Sequence, residues 1–284
     1  MRHAYLTEAD DAYSRKIRRR HTGKVNQQEQ LHFFYEILHP SLPRLGPGDR
    51  ASTTRALGML LPESGTSVVP HGTGLQVLDI GCGNGASTIE LAKLVQGEIA
   101  ALDNHQPYLD ELKRRAEAEG VFGNIQLQLM DMRELRTDKP TYDLIWSEGA
   151  LYFFGFAQGL AGCRSLLRPG GSMAVSELCF LRPDPPAECA RYFAEAYPAM
   201  TDVERNLGAI RGAGFDSLLG HFALPETAWW ESYYGPLQKR LQLLREKHAA
   251  DTERTVMIGL VETEIDMYRR FSEYYGYVFY VMRG

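Results

Sequence analysis

The sequence predicts an α/β domain built on a largely parallel sheet. From about Leu75 onward, short apolar runs alternate with helical patterns. The first run ends in a glycine-rich turn, Gly81-Cys82-Gly83-Asn84-Gly85, that leads directly into a helical pattern. Strands separated in this way by helices pair in parallel through right-handed crossovers.

The elements follow in order. Residues 75–80 form a buried strand, and 87–95 the helix after the glycine turn. A second strand is expected over 98–102, then a helix over 107–119 with proline in its first turn, where a missing N–H costs nothing. The third strand spans 125–129 and the fourth 142–146. A helix over 159–167 is closed by Arg168-Pro169-Gly170-Gly171, a stop-and-turn signal. The fifth strand spans 172–178, a further helix 201–214, the sixth strand 217–224 and the last 277–282. Three pieces stand outside the alternation. They are 1–70, broken by Pro40, Pro43, Pro47 and Pro62; 183–200, introduced by Pro183-Asp184-Pro185-Pro186; and 226–275, which reads as two long amphipathic helices. The expected organisation is an N-terminal helical arm or cap over 1–70 and a domain over 71–284 that carries lid insertions at about 183–200 and 226–275. Such pieces can cover the carboxyl edge of the sheet, where open α/β sheets bind ligands.

Composition narrows the function. The 284 residues are enough for one large domain with a cap, and a formal charge of −5 argues against a nucleic-acid partner, which calls for a basic face. Cys82, Cys163, Cys179 and Cys189 are scattered without a C-x-x-C pair, so they read as reduced thiols, with no metal site. No apolar run is long enough to span a membrane, and residues 1–10 lack a signal-peptide pattern, which places the protein in the cytoplasm.

A glycine-rich turn between strand and helix lets a ligand approach the backbone, and alone it fits more than one cofactor. The dinucleotide pattern is G-x-G-x-x-G; here the spacing is G-x-G-x-G with Ala86 next, so NAD stays open on the glycines. The carboxylates separate the two. Asp79, two residues before Gly81, is awkward beside a pyrophosphate but suits an ammonium group or a water bound to one. Asp103 ends the second strand, placed to accept from both ribose hydroxyls. Asp131 follows the third, placed to accept from an adenine amino group, with Met132 beside the ring. Carboxylates ending three successive strands match a cationic nucleoside without phosphates, which is S-adenosylmethionine.

The runs Val77 to Gly85, Leu102-Asp103, Met130-Asp131-Met132, Tyr142 to Ala150 and Leu167 to Gly171 resemble class I S-adenosylmethionine-dependent methyltransferases over roughly 75–224 and the final strand. Ile145 to Tyr152, Ala196-Tyr197-Pro198 and Tyr274-Tyr275-Gly276-Tyr277 are similar to one bacterial branch of small-molecule methyltransferases. The resemblance implies a Rossmann-like sheet of order 3-2-1-4-5-7-6 with strand seven antiparallel. It also implies that Gly81 and Gly83 contact the methionine part, Asp103 the ribose and Asp131 the adenine. Cys82, Gly85, Asn104, Met132 and Ser147 complete the expected cofactor set. Gly48 joins it because the branch carries a similar Gly-Pro-Gly turn, expected near the methionine end; the plainer reading is a helix start capped by Asp49 or Ser52.

Methyl transfer from a sulfonium needs alignment and exclusion of water, and a base only if the nucleophile must lose a proton. Glu148, at the end of the fourth strand, is the candidate to bind or deprotonate the acceptor; its alternative is a partner for a lid cation or for the cofactor's ammonium. Tyr152, with Phe153 and Phe154, lines a pocket or belongs to the core. His105, just after Asp103, reads as facing the adenine edge or solvent, and His221 as structural. Trp229, Trp230, Tyr233, Tyr234, Tyr268, Phe271, Tyr274 and Tyr275 read mostly as lid core, with one or two rings toward an apolar acceptor. The basic run Arg15 to Arg20 with Lys24 reads as a solvated face or as an arm guiding an anionic substrate or RNA into the site, with Gln27, Gln28, His32 and Tyr35 nearby.

The expected activity is therefore methyl transfer from S-adenosylmethionine to a small molecule through an O, N or C nucleophile, leaving S-adenosylhomocysteine. RNA or protein methylation, a non-catalytic cofactor-binding protein and an NAD-dependent oxidoreductase are the rival readings. No membrane partner and no metal are expected, and the oligomeric state, a homodimer included, stays open.

Overall fold

The computed structural model describes residues 27–60, 74–136 and 139–284. Its strands are β1 (Leu75–Ile80), β2 (Gly97–Asp103), β3 (Ile125–Leu129), β4 (Tyr142–Glu148), β5 (Leu167–Phe180), β6 (Ser217–Ala223) and β7 (Tyr275–Arg283). Its longer helices are α1 (Gln27–Ile37), α2 (Arg50–Gly58), α3 (Ala86–Leu94), α4 (Gln106–Ala118), α5 (Phe156–Leu166), α6 (Ala187–Ala196), α7 (Val203–Gly212), α8 (Gly235–Lys247) and α9 (Thr252–Phe271). The sheet runs β3-β2-β1-β4-β5-β7-β6, the order the resemblance implies. β1 pairs in parallel with β2 and β4, β2 with β3 and β4 with β5, whereas β7 is antiparallel to β6. β1 lies inside because its run from Val77 to Ile80 is buried throughout, as a parallel strand covered on both faces must be.

Several boundaries differ from the sequence expectation. The stop signal Arg168-Pro169-Gly170-Gly171 lies within the span of β5: Tyr142 pairs with Leu167 and Leu144 with Ser172, so the strand makes an irregular excursion and resumes. α5 starts at Phe156 instead of 159, because Gly155 (φ 77°) ends a 3₁₀ turn over Leu151–Phe154 and the helix begins at once. The crossover from β3 to β4 has only a 3₁₀ turn, Met132–Glu134, as described structure. Before α8 the chain forms a short turn, Thr227–Trp229, and a π-helical turn, Trp230–Tyr234. β7 starts at Tyr275, two residues earlier than expected.

The chain divides into two compact units. The sheet unit comprises Gly48–Leu178, Val203–Leu224 and Tyr277–Gly284. It contains α2, which the sequence placed in the N-terminal arm. Three contacts hold α2 there: Arg50 with Glu90 at 2.9 Å, Thr53 with Glu148 at 2.8 Å, and the Arg55 guanidinium 4.0 Å above the Phe222 ring. Asp49 caps α2, accepting from the Ser52 N–H at 2.6 Å.

The helical unit comprises Met1–Pro47, Cys179–Asp202 and Pro225–Gly276. Its core is aromatic: Trp229 and Tyr268 stack with centroids 3.9 Å apart, and the Tyr275 ring meets Phe193 edge-on at 4.5 Å. Tyr234 donates to the buried Glu264 carboxylate at 3.0 Å. Burial and that nearby carboxylate push the Tyr234 phenol well above its usual range, so it stays a donor. α1 is fastened at its carboxyl end, where Arg240 donates to the Glu36 and Ile37 carbonyls at 2.7 and 3.1 Å and satisfies acceptors a helix end leaves open. On α1, Gln28 and His32 are exposed and Tyr35 is half-buried.

Within the sheet unit, α3 and α4 pack through Gly85. It has φ 83°, and a Cβ there would lie 2.4 Å from Leu112 Cγ. Gly85→Ala therefore meets both left-handed strain and overpacking, and is expected to cost about 2–4 kcal/mol in urea unfolding. Adding Leu112→Ala should cost less than the sum of the two single changes, since it removes the clash.

Candidate functional site

The strand order reverses between β1 and β4, the place where open α/β sheets bind ligands beyond the carboxyl ends. The residues there all belong to the sheet unit. The turn after β1 runs through positive φ at Gly81 (70°), Gly83 (55°) and Gly85 (83°). The N–H groups of Gly81 and Cys82 donate to the Leu102 carbonyl at 2.8 and 3.0 Å, which clamps the turn onto the end of β2. A Cβ at Gly81 would stand 2.4 Å from the Ala150 Cβ, so glycine is required by the approach of the chain leaving β4. Cys82 is buried with its thiol toward the Gly83 carbonyl.

Asp103 is oriented by backbone. Its Oδ2 accepts from the Gly83 N–H at 2.9 Å and its Oδ1 from the His105 N–H at 3.0 Å. Through these two bonds the Asp103 carboxylate holds the turn to the end of β2. Asn104 beside it is exposed. The His105 ring meets Tyr108 edge-on at 4.6 Å.

The other two strand-end carboxylates are differently engaged. Asp79 is only 1% exposed, and its Oδ2 accepts from the Thr88 hydroxyl at 2.7 Å. Asp131 caps the 3₁₀ turn by accepting from the Arg133 N–H at 2.9 Å, and pairs with the Arg133 guanidinium at 2.6 Å. Met132 is half-buried, and its Cε lies 3.6 Å from where a Cβ at Gly81 would stand.

At the end of β4, the Ser147 hydroxyl is fully buried and donates to the Ile80 carbonyl at 3.1 Å, tying the tip of β4 to that of β1. Glu148 is half-buried; its Oε1 accepts from Trp146 Nε1 at 3.0 Å and from the Thr53 hydroxyl at 2.8 Å. Gly149 (φ 60°) donates to Ser176 Oγ at 2.9 Å, and the Tyr277 ring packs against it. The Tyr152 ring stacks on Phe153 with centroids 4.3 Å apart and is half-buried. Gly48, with φ 151°, is buried immediately before the α2 cap.

Between α5 and the turn after β3 lies a cavity of about 310 Å³ bounded by Ile80, Met132, Leu135, Phe154, Cys163 and Leu166. Burial pushes the Cys163 thiol up to about 12, so it takes no part as a nucleophile. His221 is exposed on β6, its ring stacked on Tyr280. The basic run Arg15 to Arg20 and Lys24 lies outside the described residues. Among the described residues, no group of His, Cys, Asp and Glu side chains is arranged to hold a metal ion, and no helix is long and apolar enough to cross a membrane.

Sequence reasoning missed Thr53, Trp146, Thr88 and Tyr277. Thr53 stands 95 positions from the carboxylate it binds, and no local spacing signals that pairing. Trp146 sits two residues before Glu148 on the same strand; strand alternation puts such pairs on one face and was the available clue.

Residues 77–171 match the family described as a methyltransferase domain. The chain is 24% identical over 170 residues to the O-methyltransferase cnsE of Penicillium expansum, across 59% of this chain and 58% of that protein. It thus spans a little over half the length of that relative. It is also 24% identical over 236 residues to the 27-O-demethylrifamycin SV methyltransferase of Amycolatopsis mediterranei, across 79% of this chain and 82% of the relative. Among solved structures, a Geobacter sulfurreducens methyltransferase in complex with S-adenosylhomocysteine superposes with a TM-score of 0.73 at 19% identity, over 88% of this chain and 97% of that one. At that identity the likeness establishes a shared fold.

Asp103→Asn would turn an amide N–H against one of the two backbone donors. The expected loss is about 1–3 kcal/mol in urea unfolding, with faster hydrogen exchange at the Gly83 or His105 amide.

Proposed function

We propose that the chain is a class I S-adenosylmethionine-dependent methyltransferase that methylates a small-molecule acceptor, a reading supported by the match of residues 77–171 to a methyltransferase domain. The observation that carries the reading is the clamped glycine turn with Asp103 at its side: a backbone that admits a ligand closely, next to a carboxylate whose direction is set by two N–H groups. The cradle fits the nucleoside: the Gly81 position has no room for a side chain, and Asp103 is a carboxylate, the acceptor chemistry that a ribose diol calls for.

The bound cofactor supplies an electrophilic methyl group on a sulfonium, open to in-line displacement. The chain's own residues bind and orient. In this proposal Gly81, Cys82, Gly83 and Gly85 form the turn under the methionine part, Asp103 and Asn104 read the ribose, and Asp131 and Met132 the adenine edge. Asp131 does so with Arg133 in place. Ser147 holds the β1 and β4 tips together, so it acts on the site through the backbone. Gly48 brings the start of α2 to the same unit, and Tyr152 borders the acceptor space. Glu148, with two donors on one oxygen, serves as a fixed acceptor and binding group rather than a mobile base.

The net charge of −5 and the small-molecule name of the Amycolatopsis relative support a metabolite acceptor over RNA or protein. The insertions at about 183–200 and 226–275 are proposed as the part that orders on binding and excludes water.

S-adenosylhomocysteine should raise the unfolding midpoint while NAD leaves it unchanged; the reverse would sink the assignment. Release of S-adenosylhomocysteine in the presence of a panel of small alcohols, phenols and amines tests the acceptor class, and turnover with RNA alone would contradict it. Proteolysis within 226–275 is expected to slow when S-adenosylhomocysteine is bound; unchanged cleavage argues against the lid.

A further inference from the structure

We propose that the cavity beside α5 is a binding site, separate from the glycine turn, for a small aromatic carboxylic acid: the ring lies on the apolar floor and Arg136 at the rim holds the carboxylate. Every residue that lines the cavity belongs to the sheet unit.

The connectivity of the sheet leaves this space open. β3 to β4 and β4 to β5 step across the sheet in the same direction, so right-handed crossovers carry both connections over one face. The second connection supplies α5. Among the described residues the first supplies only the 3₁₀ turn Met132–Glu134, and so no helix to pack beside α5. Ile80 points onto this face because its neighbour Asp79 meets Thr88 of α3 on the other, and successive strand residues alternate. On α5, Gly159, Gly162, Cys163 and Leu166 recur at helical spacing and form one wall. A Cβ at Gly162 would meet no atom within 4 Å, which marks room above the helix there.

The lining selects the ligand. Ile80, Cys163 and Leu166 are buried, and Met132, Leu135 and Phe154 half-buried, so the floor is apolar. Its volume of about 310 Å³ is roughly twice the ~150 Å³ that holds benzene in an apolar cavity, enough for one ring with a short acid chain. The rim is polar, and Arg136 is the one charged side chain in the lining. Arg136 Nη1 donates to the Arg133 and Leu135 carbonyls at 2.8 and 2.7 Å, which steadies the guanidinium against the turn. The opposite edge of a guanidinium, Nε with Nη2, is the fork that grips a carboxylate by two parallel, charge-assisted bonds. A positive rim over an apolar floor thus complements an acid with an apolar body. The cofactor is a poor match for this space. None of Gly81, Gly83, Asp103 and Asp131 lines it, and from Gly159 to Leu166 α5 carries it ~10 Å away from the strand tips.

The test follows the Met132, Leu135 and Leu166 methyl groups by NMR while phenylacetate is titrated into the full chain. Phenylethanol serves as the uncharged analogue and acetate as the acid without a ring. Phenylacetate should shift all three residues and bind about 10-fold more tightly than either comparison compound. Arg136→Gln is expected to weaken phenylacetate by about 10-fold and to leave phenylethanol unchanged. Gly162→Leu fills the cavity from a helix position that has room, so the protein should stay folded with an equal or higher unfolding midpoint. It should weaken phenylacetate by at least about 10-fold. Saturating S-adenosylhomocysteine should leave the affinity for phenylacetate unchanged, whether or not it binds at the glycine turn. No shift at those methyl groups, equal binding of the acid and the alcohol, or full binding in Gly162→Leu overturns the proposal. So does displacement of phenylacetate by S-adenosylhomocysteine, which would give the space to the cofactor.

Discussion

Everything at the ligand end of the sheet hangs on the clamp between β1 and β2. Two N–H groups of the turn share the Leu102 carbonyl, and a third goes to the Asp103 carboxylate. Those bonds exist only if the backbone passes through positive φ at alternate residues, which side chains with a Cβ resist. The same turn lets the chain leaving β4 approach within van der Waals contact at Ala150 and lets α4 close over Gly85. Backbone shape, helix packing and carboxylate orientation are thus one constraint. A change that relaxes the turn would loosen all three together.

Around that clamp, polar side chains are spent on fixing one another before they meet any ligand. Ser147 donates to Ile80, Thr88 to Asp79, and Trp146 with Thr53 to Glu148. A buried polar group left without a partner is costly, so each of these bonds also selects a single arrangement of the strand tips. The result is a preorganised edge in which Asp103 and Glu148 point where the backbone and α2 direct them. Preorganisation of this kind matters for methyl transfer, where alignment supplies most of what the protein contributes.

Legibility in the sequence followed the range of the forces. Strand existence, the glycine turn and the strand-end carboxylates are local patterns, and the structure has β1, β2 and β4 within a residue or two of the expected ends. The stop signal at Arg168 to Gly171 was legible too: the helix ends at Leu166, and pairing with β4 skips 168–171 and resumes at Ser172. What local pattern did not show is that Leu167 already pairs with Tyr142 before the excursion. The start of α5 was misread because Gly155, not the apolar period, sets where the helix can begin. Of the site, Asp79 illustrates the limit: its position was legible, but its burial against Thr88 depends on how α3 lies on the sheet.

Composition and spacing alone specify an alternating α/β chain, a turn that must be glycine, and acidic residues at successive strand ends. These follow from short-range sterics and from the two periodicities of backbone structure. Which of those acids turns to a neighbour and which to open space is settled only when helices far apart in sequence come to rest on the sheet. Thr53 reaches Glu148 across 95 positions because α2 docks with the sheet unit, a choice made by packing and burial summed over the whole core.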